Sequence, residues 1–220
     1  TYGRLAAYTE QKTESDLTNN IYNVLTTTIR SGITYNKMGQ MAGYLEATAK
    51  FDKDNNPVSA ELKTQRKDII YTALGFVSSY QDTITSIATA GLVTVINFKA
   101  DKFDVKGQLA KYTETKSESD KTNKDLYNLA STTIRNSITY NAVGQMTSYK
   151  EDQTKDGQTI STIRKDITYT SLGFIKSYTD TIQQNSAADL FTEVKFTAAR
   201  YDTYGRLAAY TEQKTESDLT

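Results

Sequence analysis

Cysteine, histidine and tryptophan are absent from this chain, and proline occurs once, at Pro57. Without thiol or imidazole groups there is no cysteine nucleophile and no triad built on histidine. There is also no thiolate or imidazole metal site. The missing cysteines remove disulfides as well, so the redox compartment is not legible. No run approaches the 18 apolar residues of a membrane-spanning helix; the most apolar stretch, Ile87 to Ile96, is too short and contains Gly91. Neither sign of charge is in excess, with 26 basic residues against 26 acidic ones and no basic cluster. That argues against nucleic acid as a partner, because phosphate binding needs a basic footprint.

What the chain does have is tyrosine, 16 of them, and much threonine, both of which favour strands. It also has a period. The segment YDTYGRLAAY, from Tyr201 to Tyr210, recurs in weaker copies centred on Gly3, Gly39, Gly75, Gly107, Gly144, Gly173 and Gly205. Successive intervals are 36, 36, 32, 37, 29 and 32 residues. Each copy is an aromatic, then Asp, Asn or Thr, two free positions and the glycine. A tyrosine closes it: Tyr8, Tyr44, Tyr80, Tyr112, Tyr149, Tyr178 and Tyr210. Isolated turns would not carry the same flanking residues, so the pattern is read as a structural repeat.

The turn chemistry is specific. Asp, Asn or Thr at the first corner accepts a hydrogen bond from a backbone N–H two residues on. A glycine three residues later takes the left-handed conformation without a steric penalty. Together they predict a type I turn with a glycine bulge, joining two antiparallel strands. In the best-formed copy, Asn141 should face Gln145, Tyr140 should face Met146, and Ile138 should face Ser148. Tyr149 then has the opposite parity and stands on the other face. Counting back from Tyr35 in twos gives Ile33, Ser31, Ile29, Thr27 and Leu25, a mostly apolar face.

The predicted fold is therefore all-β: an antiparallel hairpin meander, curled or layered as a solenoid, spiral or tube within a filament. Ile96 and Phe98 are out of step with Phe103, and a bulge near Lys99–Lys102 would repair the parity. Helices across Glu118–Thr133 and Leu17–Thr28 are the rival reading, from Leu126, Leu129 and Thr133 spaced three and four apart and the same offset in the second stretch, although Thr and Asn are poor helix formers.

A higher order is visible. RKDIIY ending at Tyr71 matches RKDITY ending at Tyr169, and TTIR occurs at both Arg30 and Arg135. Three unit types form a triad, and two triads span 202 residues. The divisions fall at 1–106, 107–204 and 205–220. Thr1–Thr18 is identical to Thr203–Thr220, so the chain reads as one period and a short overlap from a longer tandem array. No secretory leader is legible.

The turns at Tyr201, Asp202, Gly205, Arg206 and Leu207 resemble the YD repeat of Rhs-type and teneurin-type proteins. Partial matches occur at Phe103, Asp104, Gly107 and Leu109, and at Tyr140, Asn141, Gly144 and Met146. The resemblance implies β-hairpins wound into an extracellular shell, with no chemistry in the repeat itself. The spacing here is wider than that family's, and the 202-residue period is unusual for it.

Candidate chemistry is sparse. Asp52, Asp54 and Asn56 alternate as calcium ligands do, but lack the glycine of such loops, and a solvated polar turn is the competing reading. The recurrent Arg30, Arg135 and Arg66 suggest salt bridges on a sheet face. No catalytic set and no cofactor motif is found. The expected role is a structural segment of a long extracellular or cell-surface protein forming a filament, stalk or sheath. Its partners would be neighbouring repeats or copies of itself. The other readings are an adhesin whose tyrosine-lined face meets surface glycans, and a shell around a separate toxin domain.

Overall fold

The computed structural model describes residues 3–15, 23–52, 54–89, 91–120, 128–202 and 205–218. In chain order the strands are β1 (Tyr8–Ser15), β2 (Asn23–Tyr35), β3 (Met41–Phe51), β4 (Pro57–Tyr71), β5 (Val77–Ser86) and β6 (Leu92–Phe103). They continue as β7 (Leu109–Asp120), β8 (Asn128–Tyr140), β9 (Met146–Lys155), β10 (Gln158–Tyr169), β11 (Ile175–Gln184), β12 (Ala187–Tyr201) and β13 (Leu207–Asp218). All thirteen belong to one antiparallel sheet, in sequence order, with β1 and β13 as its end strands. The hairpin meander expected from the glycine period is thus the fold. Two compact units are distinguished, Thr1–Lys99 with Lys116–Ala130, and Ala100–Thr115 with Ser131–Thr220.

The helical rival is wrong wherever the chain is described. Glu118–Asp120 closes β7, and Asn128–Thr133 and Asn23–Thr28 lie in β8 and β2. Residues 17–22 and 121–127 fall outside the described residues. Threonine and β-branched side chains lose rotamer freedom in a helix but pack well on a pleated surface. The spacing of Leu126, Leu129 and Thr133 did not outweigh them.

Gly39, Gly75, Gly107, Gly144, Gly173 and Gly205 close the same turn. In the Asn141 copy, Gly144 N donates to Asn141 O at 3.1 Å and Asn141 N donates to Gln145 O at 2.9 Å. Asn141 Oδ1 accepts from the amides of Val143 and Gln145. Asp104 and Asn36 do the same in their turns, while the Thr72 and Thr170 hydroxyls accept from the amides of Phe76 and Phe174. Gly205 has φ +77°, and a Cβ there would stand 2.7 Å from Phe174 Cε1. Gly205→Ala is therefore expected to cost about 2 kcal/mol, from the left-handed backbone plus the ring clash. Gly157 is also left-handed, in the Asp156–Gly157 turn between β9 and β10, but open space surrounds its Cβ position. Gly157→Asn should change stability by no more than about 0.5 kcal/mol, since Asn tolerates this conformation. Urea denaturation of the two variants side by side checks both values.

Behind the turn, the ladder departs from the simple count. Tyr140 pairs with Met146 as expected, but Ser148 faces Thr139, not Ile138, and Asn136 faces Lys150. One extra residue on β9 is followed by one on β8, so two bulges cancel. The same double shift occurs between β2 and β3, β4 and β5, and β10 and β11. The second bulge carries a left-handed residue three positions before the turn tyrosine: Gly32, Asp68, Ser137 and Asp166, with φ between 53° and 57°. Small or short polar side chains occupy all four sites, as that conformation requires. Ile138 and Ile167, one residue on, are buried. In β12 the second shift lies between Ala198 and Arg200 and has no left-handed residue.

Little else is buried. Val93 and Phe196 complete the buried apolar residues among those described, and none of these side chains is fully enclosed. Ile29 and Leu45, on the face of β2 and β3 that the alternation marked as apolar, are each about half exposed at 48%. The sheet must therefore be held by lateral contacts between strands rather than by a thick core.

Candidate functional site

The repeat tyrosines and recurrent arginines interlock. Tyr8 lies across from Arg30, and Arg30 lies across from Glu46. Tyr44 lies across from Arg66, and Arg66 lies across from Asp82. The Arg30 guanidinium stands 5.3 Å from the Tyr8 ring centre and 4.1 Å from that of Tyr44. Arg66 stands 5.8 Å from the Tyr44 ring and 3.7 Å from Tyr80. Tyr80 then stacks on Phe98 at 5.0 Å. The rungs read Tyr, Arg, Tyr, Arg, Tyr, Phe.

The second unit repeats this order with Tyr112, Arg135, Tyr149, Arg164, Tyr178 and Phe196. Ring distances are 5.6, 4.2, 5.7 and 3.7 Å for the four cation–π contacts, and 4.9 Å for the Tyr178–Phe196 stack. Tyr210 follows, 5.5 Å from Phe196. A guanidinium over an aromatic face is attracted by the ring quadrupole, by about 0.5–2 kcal/mol depending on desolvation. One arginine clamped between two tyrosines gains this twice. Because a bulge interrupts the alternation between Met146 and Ser148, Tyr149 is located by its cross-strand partner Arg164 rather than by residue count.

Every arginine in the ladder also meets a carboxylate 16 residues later. Arg66 donates from Nε and Nη2 to the two oxygens of Asp82 at 2.7 and 2.6 Å, and Arg164 does the same to Asp180 at the same distances. Arg30 and Arg135 instead direct both nitrogens at one oxygen, Oε2 of Glu46 and of Glu151. Asp82 and Asp180 are the buried charged residues among those described, each 6% exposed. Hydrogen bonding to these carboxylates raises the pKa of Arg66 and Arg164, so both remain cationic at any working pH.

These acids were not singled out in the sequence, yet a signal for them exists. Each repeat tyrosine is followed two residues later by an acid: Glu10, Glu46, Asp82, Glu114, Glu151, Asp180 and Glu212. Residues two apart share a face of a strand, and at Tyr44, Tyr80, Tyr149 and Tyr178 the tyrosine and the acid flank the same cross-strand arginine.

A second set of bonds ties unit to unit at the turns. Tyr35 Oη donates to Leu5 O at 2.7 Å, Tyr71 Oη to Met41 O, Tyr140 Oη to Leu109 O and Tyr169 Oη to Met146 O. Tyr201 Oη donates to Ile175 O in the same way. The acceptor is always the residue two beyond the preceding repeat glycine. Tyr140→Phe should therefore cost about 1 kcal/mol in urea denaturation, one net hydrogen bond, with the sheet otherwise intact.

Burial pushes the Tyr44, Tyr112 and Tyr149 phenols above their usual value, and the neighbouring arginines offset this only in part. A raised folded pKa means the folded state holds the proton more tightly. The stability associated with these protons is complete below the unfolded value near pH 10 and is lost as pH rises through the folded values. Denaturation midpoints should be level to about pH 9 and fall above about pH 10, and phenolate absorbance should rise late.

The Asp52 loop is built as another copy of the repeat turn. Asp52 N donates to Asn56 O, Asn55 N donates to Asp52 O, and Asn55 stands in the glycine position with φ 63°. Asp52 Oδ1 accepts from the amides of Asp54 and Asn56, and Oδ2 accepts from the Asn56 side chain. The Asp52 oxygens thus serve the backbone turn. Among the described residues no cluster of three or more acids is placed to hold a metal ion, and no helix is long and apolar enough to cross a membrane.

No protein-family model, curated protein or solved structure matches this chain.

Proposed function

We propose that this chain is a structural repeat segment of a long extracellular or cell-surface protein, forming part of a filament, stalk or sheath. The observation that carries the reading is the ladder. Its rungs are supplied strand by strand in a fixed order, and each of its four arginines is held by a carboxylate and by tyrosine rings. Such a sheet lengthens by adding hairpins, and its stability grows with nearest-neighbour terms. The YD-like turns are consistent with a surface location.

The ladder also weighs against the glycan-binding reading. A sugar stacks on an open aromatic face, and here the tyrosine faces are occupied by guanidinium groups and by phenylalanines. Electron microscopy of the native assembly tests the proposal. Twelve strand spacings of about 4.8 Å predict an axial repeat near 58 Å for the 202-residue period. Isolated particles without any such repeat would defeat it.

A further inference from the structure

We infer that the face of β2–β5 carrying Ile29 and Leu45 packs against the same face of a second copy, sheet on sheet, about a two-fold axis that crosses β3 between Leu45 and Ala47. The inference goes beyond the stalk reading and does not rest on it, since a sheet lengthens strand by strand whether or not its face is covered.

The tyrosine–arginine ladder occupies one face of these strands. Side chains of the opposite parity form rows on the other face. One row is Ser31, Leu45, Gln65 and Thr83, and the next is Ile29, Ala47, Lys63 and Thr85. Ile29 and Leu45 are each 48% exposed, and Lys63 and Gln65 are exposed as well. The small Ala47 leaves a hollow of about 480 Å³, surrounded by Ile29, Leu45, Lys63, Gln65 and Thr85. A knob, Leu45, and a hollow over Ala47 therefore stand two residues apart on one strand.

That spacing is self-complementary. A two-fold axis lying between the sheets, across the strands, lays each strand antiparallel over its own counterpart. The first row of one copy then faces the second row of the other. Leu45 enters the hollow over Ala47 of the second copy, and Ile29 faces Ser31. Lys63 faces Gln65, and Thr85 faces Thr83. Large side chains oppose small ones, and polar ones oppose polar ones. One row further out on β4, Glu61 faces Lys67 of the second copy, so the rim is complementary in charge.

The second unit shows why this pairing is selective. One and three residues after its repeat tyrosine, Lys150 and Asp152 stand where Leu45 and Ala47 follow Tyr44. Set against those residues of a second copy, Leu45 would cover the Asp152 carboxylate with an apolar group, which is costly. The first unit is thus matched to itself. Contact area sets the strength. Four strands about 4.8 Å apart and four rows about 6.8 Å apart make about 500 Å² per copy, or about 1,000 Å² in all. That is the lower limit for a specific interface, so the dimer is weak, with Kd on the order of 100 µM.

Sedimentation equilibrium of the intact chain between about 10 µM and about 1 mM should show this monomer–dimer equilibrium. Leu45→Lys and Ala47→Asp each place a residue that the second unit already carries at the matching position, so both variants should keep the fold. Each alone should raise Kd by at least about tenfold. Mixed in equal amounts, the two variants should associate to within about threefold of the parent, because the new lysine of one copy lies over the new aspartate of the other. A parent that is monomeric at about 1 mM overturns the inference. So do single variants that dimerise like the parent, or a mixture that associates no more tightly than its components. Should either variant lose native circular dichroism, the exposed rim decides instead. Lys67→Glu should weaken the dimer, and mixing it with Glu61→Lys should recover it; an unchanged Kd in both measurements overturns the pairing. A monomeric parent would leave the stalk reading standing, because its axial repeat comes from the strand spacing of one sheet and needs no second layer.

Discussion

Arg164→Ala should destabilise the protein by about 3 kcal/mol. The substitution strands Asp180, which is 6% exposed and receives both guanidinium donors at 2.7 and 2.6 Å. Removing one partner of a buried pair costs about 3–5 kcal/mol because the other charge stays desolvated. The Arg164 side chain is itself 23% exposed, which places the effect at the lower end. The stack on Tyr178 at 3.7 Å is lost as well. Two comparisons separate the sources. Arg30→Ala, whose partner Glu46 is 24% exposed, should cost only about half as much. Arg164→Met combined with Asp180→Leu should recover to within about 1 kcal/mol of the parent, since an apolar pair of similar volume has no charge to solvate. Urea midpoints at constant m-value measure all three. A single Arg164→Ala variant as stable as the parent would show that the ladder does not hold the sheet.

Phe196→Ala should cost a similar amount, about 3 kcal/mol. Phe196 is 8% exposed and stacks on Tyr178 at 4.9 Å and Tyr210 at 5.5 Å. Truncation removes the ring and both aromatic contacts, each of which contributes about 0.5–1.5 kcal/mol beyond area burial. The sharper expectation is that Phe196→Arg costs less than Phe196→Ala. Phe196 occupies the place that Arg30, Arg66, Arg135 and Arg164 hold in the other hairpins, five residues before the turn tyrosine. Its cross-strand neighbour is Glu212, as Glu46 is for Arg30. The acid needed to neutralise a new arginine is already in position. Destabilisation below about 1.5 kcal/mol is expected for the arginine variant, read from the same urea series. A larger loss for Arg than for Ala would mean that the rung positions are not equivalent.

The local chemistry of the hairpins was open to inspection in the residues. An Asp, Asn or Thr followed three positions later by glycine can do little other than reverse an extended chain. Each turn depends on atoms within five residues, so no distant information was needed. The same locality accounts for the Asp52 loop, where Asp52 accepts from the amides of Asp54 and Asn56 and Asn55 stands in the glycine position. The register error at Ile138 has a different origin. The two bulges lie on different strands and cancel in the pairing, so the register beyond them matches a simple residue count although the alternation on each strand is interrupted once.

What the sequence determined alone was the element type, the reversal points, the serial order of strands and the recurrence of tyrosine and arginine. All of these follow from local backbone preference and period. The pairing of each arginine with an acid 16 residues away, and with tyrosines on both sides, was decided only by the tertiary structure. That choice depends on which residues stand opposite across neighbouring strands, and the register of a bulged ladder is set by hydrogen bonding between strands, which no single segment encodes.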